Sequence, residues 1–228
     1  MTQPFRSGSG AYQSSVCPGV SIRLEEDHIV MQSIEPVTVL SKADSFVNWK
    51  VPLSYNCSDP VLDLGKMVER WGYSRASSIG LITAAKLSHA SIMEANGDCF
   101  TMLCCTTAGT RNAARAGLNR PLFPAYSAGT INSFLFIDGR MTQSAMVNAV
   151  ISATEAKTAA LQDLGIMDSL HGLAATGTTT DSVVIAVSQS EHYNALHAYA
   201  GAATTIGDAI CKLVYESVFE SVRTQNDD

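Results

Sequence analysis

Small polar residues are concentrated in three segments of this chain, each next to a predicted strand. The segments run from Thr106 to Asn112, from Ala128 to Asn132 and from Ala175 to Asp181. Glycine lets the backbone of such a segment approach a ligand closely, while threonine and asparagine supply hydroxyl and amide groups for hydrogen bonds. Each segment alone is typical of an ordinary turn. Because sheets often bind ligands where strands end, the three together predict one polar cleft.

The segments match none of the standard motifs for nucleotide binding or serine hydrolysis. The segment around Gly177 lacks the Gly-Lys-Ser/Thr ending of a P-loop and leads into a strand rather than a helix. No Gly-x-Gly-x-x-Gly fingerprint follows a strand, and no Gly-x-Ser-x-Gly elbow is present. Cysteines and histidines do not cluster at zinc-ligand spacing. The sequence therefore favours a site with neither a nucleotide nor a metal.

The composition indicates a globular protein that does not bind nucleic acid. The 228 residues carry a formal net charge of −6, and an acidic chain gains nothing from counterion release on DNA or RNA. Charged residues make up only 16% of the chain, compared with about 25% in a typical protein. Because a surface so poor in charge is often partly covered, we expect a homo-oligomer.

The cysteines and the N-terminal residues favour the cytoplasm. None of the six cysteines forms a Cys-x-x-Cys pair, and they are typical of small buried side chains in a reducing compartment. Residues 1–15 are polar and lack the apolar stretch of a signal peptide, so we expect a disordered tail there. No apolar run approaches the ~20 residues that a membrane span requires.

Apolar spacing and turn residues predict strands in the first half of the chain and strand–helix alternation in the second. Asn96-Gly97 predicts a hairpin turn between two strands, and Val147, Ile151, Thr154, Thr158 and Leu161 predict the buried stripe of a long helix. The predicted strands are Val20–Leu24, His28–Ser33, Val37–Leu40, Ile79–Ala84, Ala90–Ala95, Cys99–Thr106, Ser133–Ile137 and Val183–Val187, and the helices begin at Asp59-Pro60, about Gln143 and about Thr205.

This pattern predicts a mixed α/β (α+β) fold. We expect a single domain over residues 16–224, with a mixed, largely antiparallel sheet flanked by helices. The chain has no internal repeat and no Pro/Ser-rich linker in its middle, so nothing in the sequence indicates a second domain.

Five segments resemble the adenosylcobinamide amidohydrolase family in order and spacing. The resemblance covers about Ile79 to Val222 and extends more weakly back to Val20. The matching segments are Thr107-Ala108-Gly109 with Asn112-Ala113, Gly129 to Asn132, Ala153-Thr154-Glu155-Ala156-Lys157, Ala175 to Asp181, and Tyr199-Ala200-Gly201 with Gly207. One departure is clear: the family tends to have Gly-Gly after Leu-Ser-x-Ala, whereas Leu40-Ser41-Lys42-Ala43 leads into Asp44 here.

The resemblance implies a substrate and a reaction. Such enzymes hydrolyse the amide that joins aminopropanol to a corrin ring carboxyl, yielding cobyric acid and aminopropanol in corrinoid salvage. The partner is then a corrinoid, and no cofactor is expected, since the cobalt is part of the substrate. The departure near residue 45 affects which corrinoids are accepted, if that turn contacts them.

Amide hydrolysis needs an activated nucleophile and donors for the oxyanion, and the resemblance implies candidates for both. Glu155 on the long helix is the first candidate base, and Lys157 could pair with a carboxylate or meet the substrate. Asp181 could act as a base or orient a threonine nucleophile. Asn132 is a candidate oxyanion donor. Each has a plain structural alternative: an exposed helix face for Glu155, a surface lysine for Lys157 and a turn residue for Asp181.

The remaining candidates would bind the substrate. Corrinoids carry many amide groups, which threonine and asparagine can hydrogen-bond, and glycine permits close approach. The predicted binding residues are Thr107, Gly109, Asn112, Gly129, Thr130, Gly177, Thr178 and Thr179. His89 and His197 are weaker catalytic candidates, because a lone histidine is usually structural or exposed.

Two other function classes stay open on the sequence alone. One is a corrinoid-binding protein that does not cleave its ligand. The other is an unrelated amidase that uses Thr178 or Thr179 as its nucleophile and forms a covalent acyl intermediate.

Overall fold

The computed structural model describes residues 2–38, 42–121 and 129–227. The elements in chain order are β1 (Ala11–Gln13), β2 (Val20–Leu24), β3 (His28–Thr38), β4 (Lys42–Lys50), α1 (Pro60–Arg70), β5 (Ser78–Thr83), β6 (Ser91–Gly97), β7 (Phe100–Ala108), β8 (Ala113–Ala114), β9 (Ile131–Asp138), α2 (Gln143–Asp163), β10 (Met167–Asp168), β11 (Leu173–Ala174), β12 (Gly177–Thr178), β13 (Ser182–Val187) and α3 (Thr205–Thr224). Short 3₁₀ turns occupy Pro4–Ser7, Arg75–Ser77 and Leu87–His89.

Nine strands form one hydrogen-bonded sheet with the order β1-β2-β3-β13-β9-β7-β6, and β4 and β5 extend from the other side of β3. Most neighbours are antiparallel, whereas β4–β5 and β9–β13 are parallel. The sheet continues from β3 to β13 through the single pair Thr38 and Val187. The predicted mixed, largely antiparallel sheet with flanking helices is confirmed.

One half of this sheet, β1 to β5, faces the other half, which consists of β6, β7, β9 and β13, across an apolar layer. Phe46 of β4 meets Phe136 of β9 edge-on, with ring centroids 4.7 Å apart. The outer face of β7 and β9 packs on α2 and α3, and the outer face of β3 and β4 packs on Val68 of α1. The neighbours Cys104 and Cys105 point to opposite faces of β7, as the strand period requires, and so lie in different cores.

The hairpin between β6 and β7 forms, but its turn differs from the prediction. Gly97 still pairs with Phe100, so Asp98 and Cys99 close the hairpin instead of Asn96-Gly97. Gly97 lies under the Phe100 ring, where a Cβ atom would overlap it. The glycine therefore serves close ring contact rather than a positive φ angle.

The long helix predicted from about Gln143 to Leu164 is confirmed as α2, whereas its predicted buried stripe is wrong except at Leu161. Thr142 caps the helix by accepting the backbone N–H of Ala145 at 3.1 Å. Val147 and Ile151 are 61% and 51% exposed. The buried face instead carries alanines, namely Ala145, Ala149, Ala153, Ala156 and Ala160, together with Leu161. Because alanine side chains are small, α2 approaches the sheet and α3 closely. The spacing of larger residues, on which the prediction rested, did not reveal this face.

The N-terminal residues differ from the disordered tail that the sequence predicted. Strand β1 pairs with β2, and Phe5 is buried. The side-chain amide of Gln3 donates to the His89 carbonyl and to Thr224 Oγ1, both at 2.8 Å. The end of the predicted strand Val37–Leu40 lies outside the described residues, as does the neighbouring Ser41.

None of the helices in the described ranges has the length and apolar character of a membrane span. In the same ranges, no three histidine, cysteine or acidic side chains are grouped so that they could hold a metal ion.

The close contact between the first turn of α3 and the turn that precedes this helix depends on Gly207. A Cβ atom at Gly207 would overlap the carbonyl oxygens of Gly201 and Ala200, which are backbone atoms and cannot move aside. We expect Gly207→Ala to lower the free energy of unfolding by about 1–3 kcal/mol, in a denaturant titration. Gly10→Ala, which meets nothing within 4 Å, is the control and should change little. Equal stability of the two variants would contradict the close contact.

Candidate functional site

A cavity of about 970 Å³ opens where the three small-residue segments meet. Its described lining includes Arg111, Asn112, Gly129, Thr130, Thr179 and Thr180. The opposite wall is formed by the chain between β4 and α1, with Tyr55 and Cys57, and by residues 168–170. The predicted convergence of the three segments is therefore confirmed within the described residues; Ala128, the first residue of the middle segment, lies outside them.

Asn112 and Thr179 form a polar pair in the wall of the cavity. The side-chain N–H of Asn112 donates to Thr179 Oγ1 at 2.6 Å, and no described residue accepts the hydroxyl hydrogen of Thr179, which lines the cavity. Asn112 is 7% exposed, and its amide oxygen has no hydrogen-bond partner among the described residues. Gly129 lies against that oxygen so closely that any side chain at 129 would overlap it.

Backbone and hydroxyl hydrogen bonds connect the three segments. Thr180 Oγ1 donates to the Gly129 carbonyl at 2.8 Å, and Thr130 Oγ1 donates to the Thr180 carbonyl at 2.8 Å. The backbone N–H of Gly109 donates to the Thr130 carbonyl at 2.9 Å. Because each segment bonds to another, the walls of the cavity are held in one arrangement.

Asp181 lies behind the cavity and is fully hydrogen-bonded. It accepts the backbone N–H groups of Thr178 and Ile131 at 2.9 and 3.0 Å, and the Thr178 hydroxyl at 2.5 Å. It also pairs with Lys157 of α2 at 2.5 Å, with side chains only 10% and 9% exposed. A Cβ at Gly177 would come within 2.5 Å of Asp181 and 2.9 Å of Lys157. This arrangement positions the 177–180 segment and leaves Asp181 no lone pair for a substrate proton.

A second buried network joins the two halves of the sheet below the cavity. The side-chain amide of Asn132 on β9 donates to Asn48 on β4 at 2.9 Å and to the Ile82 carbonyl at 3.0 Å. The amide of Asn48 donates to Thr107 Oγ1 on β7 at 2.7 Å. All three polar side chains are buried and none lines the cavity. Sequence reasoning missed Asn48, whose one signal was an asparagine between the apolar residues Val47 and Trp49.

The structure does not bring Glu155 to the cavity. Glu155 is exposed on α2, on the side away from Lys157. The stripe that it shares with Asn148 and Ser152 instead contacts the turn before α3. Asn148 accepts the Ala200 N–H at 2.9 Å, and Ser152 donates to the Ala200 carbonyl at 2.7 Å. The expectation that Glu155 is the base does not fit this geometry.

Two histidines that were weaker candidates also lie away from the cavity. His89 packs near the N-terminus, where burial lowers its pKa. His197 is half-buried and lies edge-on to Phe100. Neither belongs to the described lining.

Asp168 is the one carboxylate in the described lining, and the sequence analysis did not identify it. It accepts the backbone N–H groups of Arg115 and Leu170 at 2.9 and 3.0 Å, the Arg120 guanidinium at 2.6 Å and His171 Nδ1 at 2.9 Å. The bond from the Arg115 backbone, followed by that from His171, holds the pKa of Asp168 well below its usual range. Two of its partners, Arg115 and Arg120, lie about fifty residues away along the chain, so no local sequence signal showed that Asp168 faces the cavity.

The buried pair of Lys157 and Asp181 predicts a strong response to removal of one partner. We expect Lys157→Met to lower the free energy of unfolding by about 3–5 kcal/mol, because Asp181 would remain buried without its cation. The double variant Lys157→Met/Asp181→Asn should recover part of that loss. Lys212→Met, which breaks an exposed pair with Asp208, is the control and should change the free energy of unfolding little. A loss at Lys157 no larger than the control would refute the organising role of the pair.

The lowered pKa of Asp168 predicts a dependence of stability on acid. A carboxyl whose pKa is lower in the folded state stabilises the fold above its unfolded pKa, and the stabilisation disappears as pH falls toward the folded pKa. We therefore expect the wild-type unfolding free energy to fall from about pH 5 downward, and Asp168→Asn to be less stable at pH 7 and less sensitive to acid. The measurement is the unfolding free energy between pH 2 and 7 for the wild type, for Asp168→Asn and for the exposed control Asp208→Asn. The same dependence on pH in the two variants would contradict the prediction.

Comparisons with known proteins identify one family that the sequence resembles over most of its length. The family model described as adenosylcobinamide amidohydrolase (CbiZ) matches residues 11–228. An uncharacterised protein of Methanocaldococcus jannaschii, MJ1613, is 30% identical over 179 residues, or 71% of this chain and 69% of its own length. A protein of Methanosarcina mazei named adenosylcobinamide amidohydrolase is 29% identical over 184 residues, or 78% of this chain and 82% of its own. With almost the whole chain matched by the family model, this protein belongs to the adenosylcobinamide amidohydrolase family.

Proposed function

We propose that this protein hydrolyses the aminopropanol amide of (adenosyl)cobinamide, giving (adenosyl)cobyric acid and aminopropanol, and so takes part in corrinoid salvage. Family membership supports a hydrolase role in cobinamide processing. The observation that carries the proposal is the convergence of three family segments on one cavity of about 970 Å³. That volume is at the upper end of the ~300–1,000 Å³ typical of small-molecule sites, as a bulky ligand would need.

The reaction adds water to the amide carbonyl carbon, breaks the C–N bond and leaves a carboxylate and a protonated amine. Negative charge develops on the carbonyl oxygen in the transition state, and preorganised donors there provide much of the rate enhancement. We place the scissile amide against Thr179. The Thr179 hydroxyl oxygen already accepts a hydrogen bond from Asn112, so its hydrogen can donate to the substrate. Gly129 and Thr130 complete this wall.

The other predicted site residues have a positioning role in this proposal. Asp181, Lys157, Thr178 and Gly177 hold the segment that carries Thr179. Asn132 and Thr107 connect the strands below the cavity, and Gly109 bonds to the Thr130 segment. Glu155, which is exposed on α2, has no place in the proposed chemistry. No resident cofactor is required, because the cobalt arrives with the substrate.

We also propose a cytoplasmic homo-oligomer. Six free cysteines, of which Cys104 and Cys105 are fully buried, suit a reducing compartment. The exposed face of α2 carries Val147 and Ile151 in a surface poor in charge, which suits contact with another subunit.

Activity should depend on the Thr179 hydroxyl. We expect the purified protein to convert adenosylcobinamide to adenosylcobyric acid and aminopropanol, measured by liquid chromatography and mass spectrometry. Thr179→Val should lower kcat/KM by about 100-fold, because a donor to the developing oxyanion is lost, while Thr179→Ser should retain most activity. Thr154→Val, at an exposed threonine of α2, is the control and should leave activity unchanged.

Three outcomes would contradict this proposal in different ways. Corrinoid binding without product release would favour a binding protein that does not cleave its ligand. A covalent acyl adduct on Thr179 would favour a threonine-nucleophile amidase. Equal activity of Thr179→Val and wild type would show that the scissile amide lies elsewhere.

A further inference from the structure

The described lining of the cavity carries more positive than negative charge. It contains two arginines, Arg111 and Arg120, and one carboxylate, Asp168. Residues 122–128, between Pro121 and Gly129, include no charged residue in the sequence. The chain as a whole has a net charge of −6, so a cationic cavity runs against its average. A neutral amide requires hydrogen-bond donors but does not require two cations.

Arg120 is anchored in a way that prepares it for a ligand. One guanidinium nitrogen pairs with Asp168 at 2.6 Å, and the Arg120 side chain is 23% exposed while that of Asp168 is 1% exposed. The backbone N–H groups of Arg115 and Leu170 and the His171 ring fix the carboxylate in turn. A guanidinium has five N–H donors, so several remain after this contact. Because its position is already fixed, Arg120 loses little freedom when it binds an oxyanion.

Arg111 is available from the neighbouring wall. It precedes Asn112, lines the same cavity and is exposed. No ion pair within residues 2–38, 42–121 and 129–227 involves it. Planar guanidinium groups match carboxylate and phosphoryl oxygens with paired hydrogen bonds.

We propose that Arg111 and Arg120 form an oxyanion subsite that binds a phosphoryl or carboxylate group on the reacting arm of the corrinoid. The identity of that arm rests on the proposed function, whereas the anion binding itself does not. Two sources share this chemistry. The hydrolysis product carries a new carboxylate, and the hydroxyl of the aminopropanol group can carry a phosphate ester.

Inorganic phosphate tests the subsite without any corrinoid. Isothermal titration calorimetry should detect phosphate binding to the wild-type protein, and Arg111→Gln and Arg120→Gln should each weaken it by about 10-fold, the loss of one charge-assisted contact. Arg23→Gln changes the net charge equally but removes an exposed arginine of β2, so its affinity should match wild type. Arg111 has no ion pair to break, so its variant tests the subsite even if Arg120→Gln lowers stability.

Corrinoids then distinguish the two sources. If the subsite binds phosphoryl groups, kcat/KM for a corrinoid phosphorylated on the aminopropanol hydroxyl should exceed that for cobinamide, and Arg111→Gln should remove the advantage. If it binds the carboxylate, cobyric acid should bind more tightly than cobinamide, with the same loss in the variant. Absent phosphate binding, or affinity unchanged in both arginine variants, would overturn the subsite. Arginine-dependent phosphate binding without cobinamide hydrolysis would refute the proposed function and leave the subsite standing.

Discussion

The cavity depends on one buried carboxylate, that of Asp181. Removing a carboxylate and an ammonium from water costs several kcal/mol for each ion, and close pairing with full hydrogen bonding is needed to offset it. Asp181 meets this condition through Lys157, two backbone N–H groups and one hydroxyl. These partners belong to α2, the start of β9 and the 177–180 segment. A single carboxylate thereby fixes the relative position of three elements, and only glycine fits at 177 beside it.

The hydrogen bonds between Asn48, Asn132 and Thr107 provide the same constraint between the two halves of the sheet. In a buried site of low dielectric constant, such a network is strong when every member is paired and costly when one is not. It lies at the strand ends that carry the cavity walls. The segments above it can therefore present exposed polar groups, such as the Thr179 hydroxyl, without losing their geometry.

Local sequence patterns predicted the helices and strands, whereas the site depends on contacts between residues far apart along the chain. Caps and spacing gave the bounds of α2, and the three glycine and threonine segments predicted a shared cleft, because these features depend on neighbouring residues. The buried face of α2 was wrong, since alanines rather than Val147 and Ile151 pack inward. Asp168 could not be found, because its partners Arg115 and Arg120 lie about fifty residues away along the chain. Glu155 matched a family segment, yet that part of α2 mainly packs against the turn before α3.

The distribution of charge in the site bears on how an amide would be cleaved there. Asp181 accepts two hydrogen bonds on each carboxylate oxygen, and the pKa of Asp168 is held well below its usual range, so neither carboxylate is suited to take a proton from water. The described lining also supplies donors, among them the Thr179 hydroxyl and the guanidinium groups of Arg111 and Arg120. Donors stabilise the negative charge that develops on the carbonyl oxygen, and that stabilisation is usually the largest single contribution to acyl-transfer catalysis. We infer that the described walls act chiefly on the electrophile, by polarising the carbonyl and holding the resulting oxyanion.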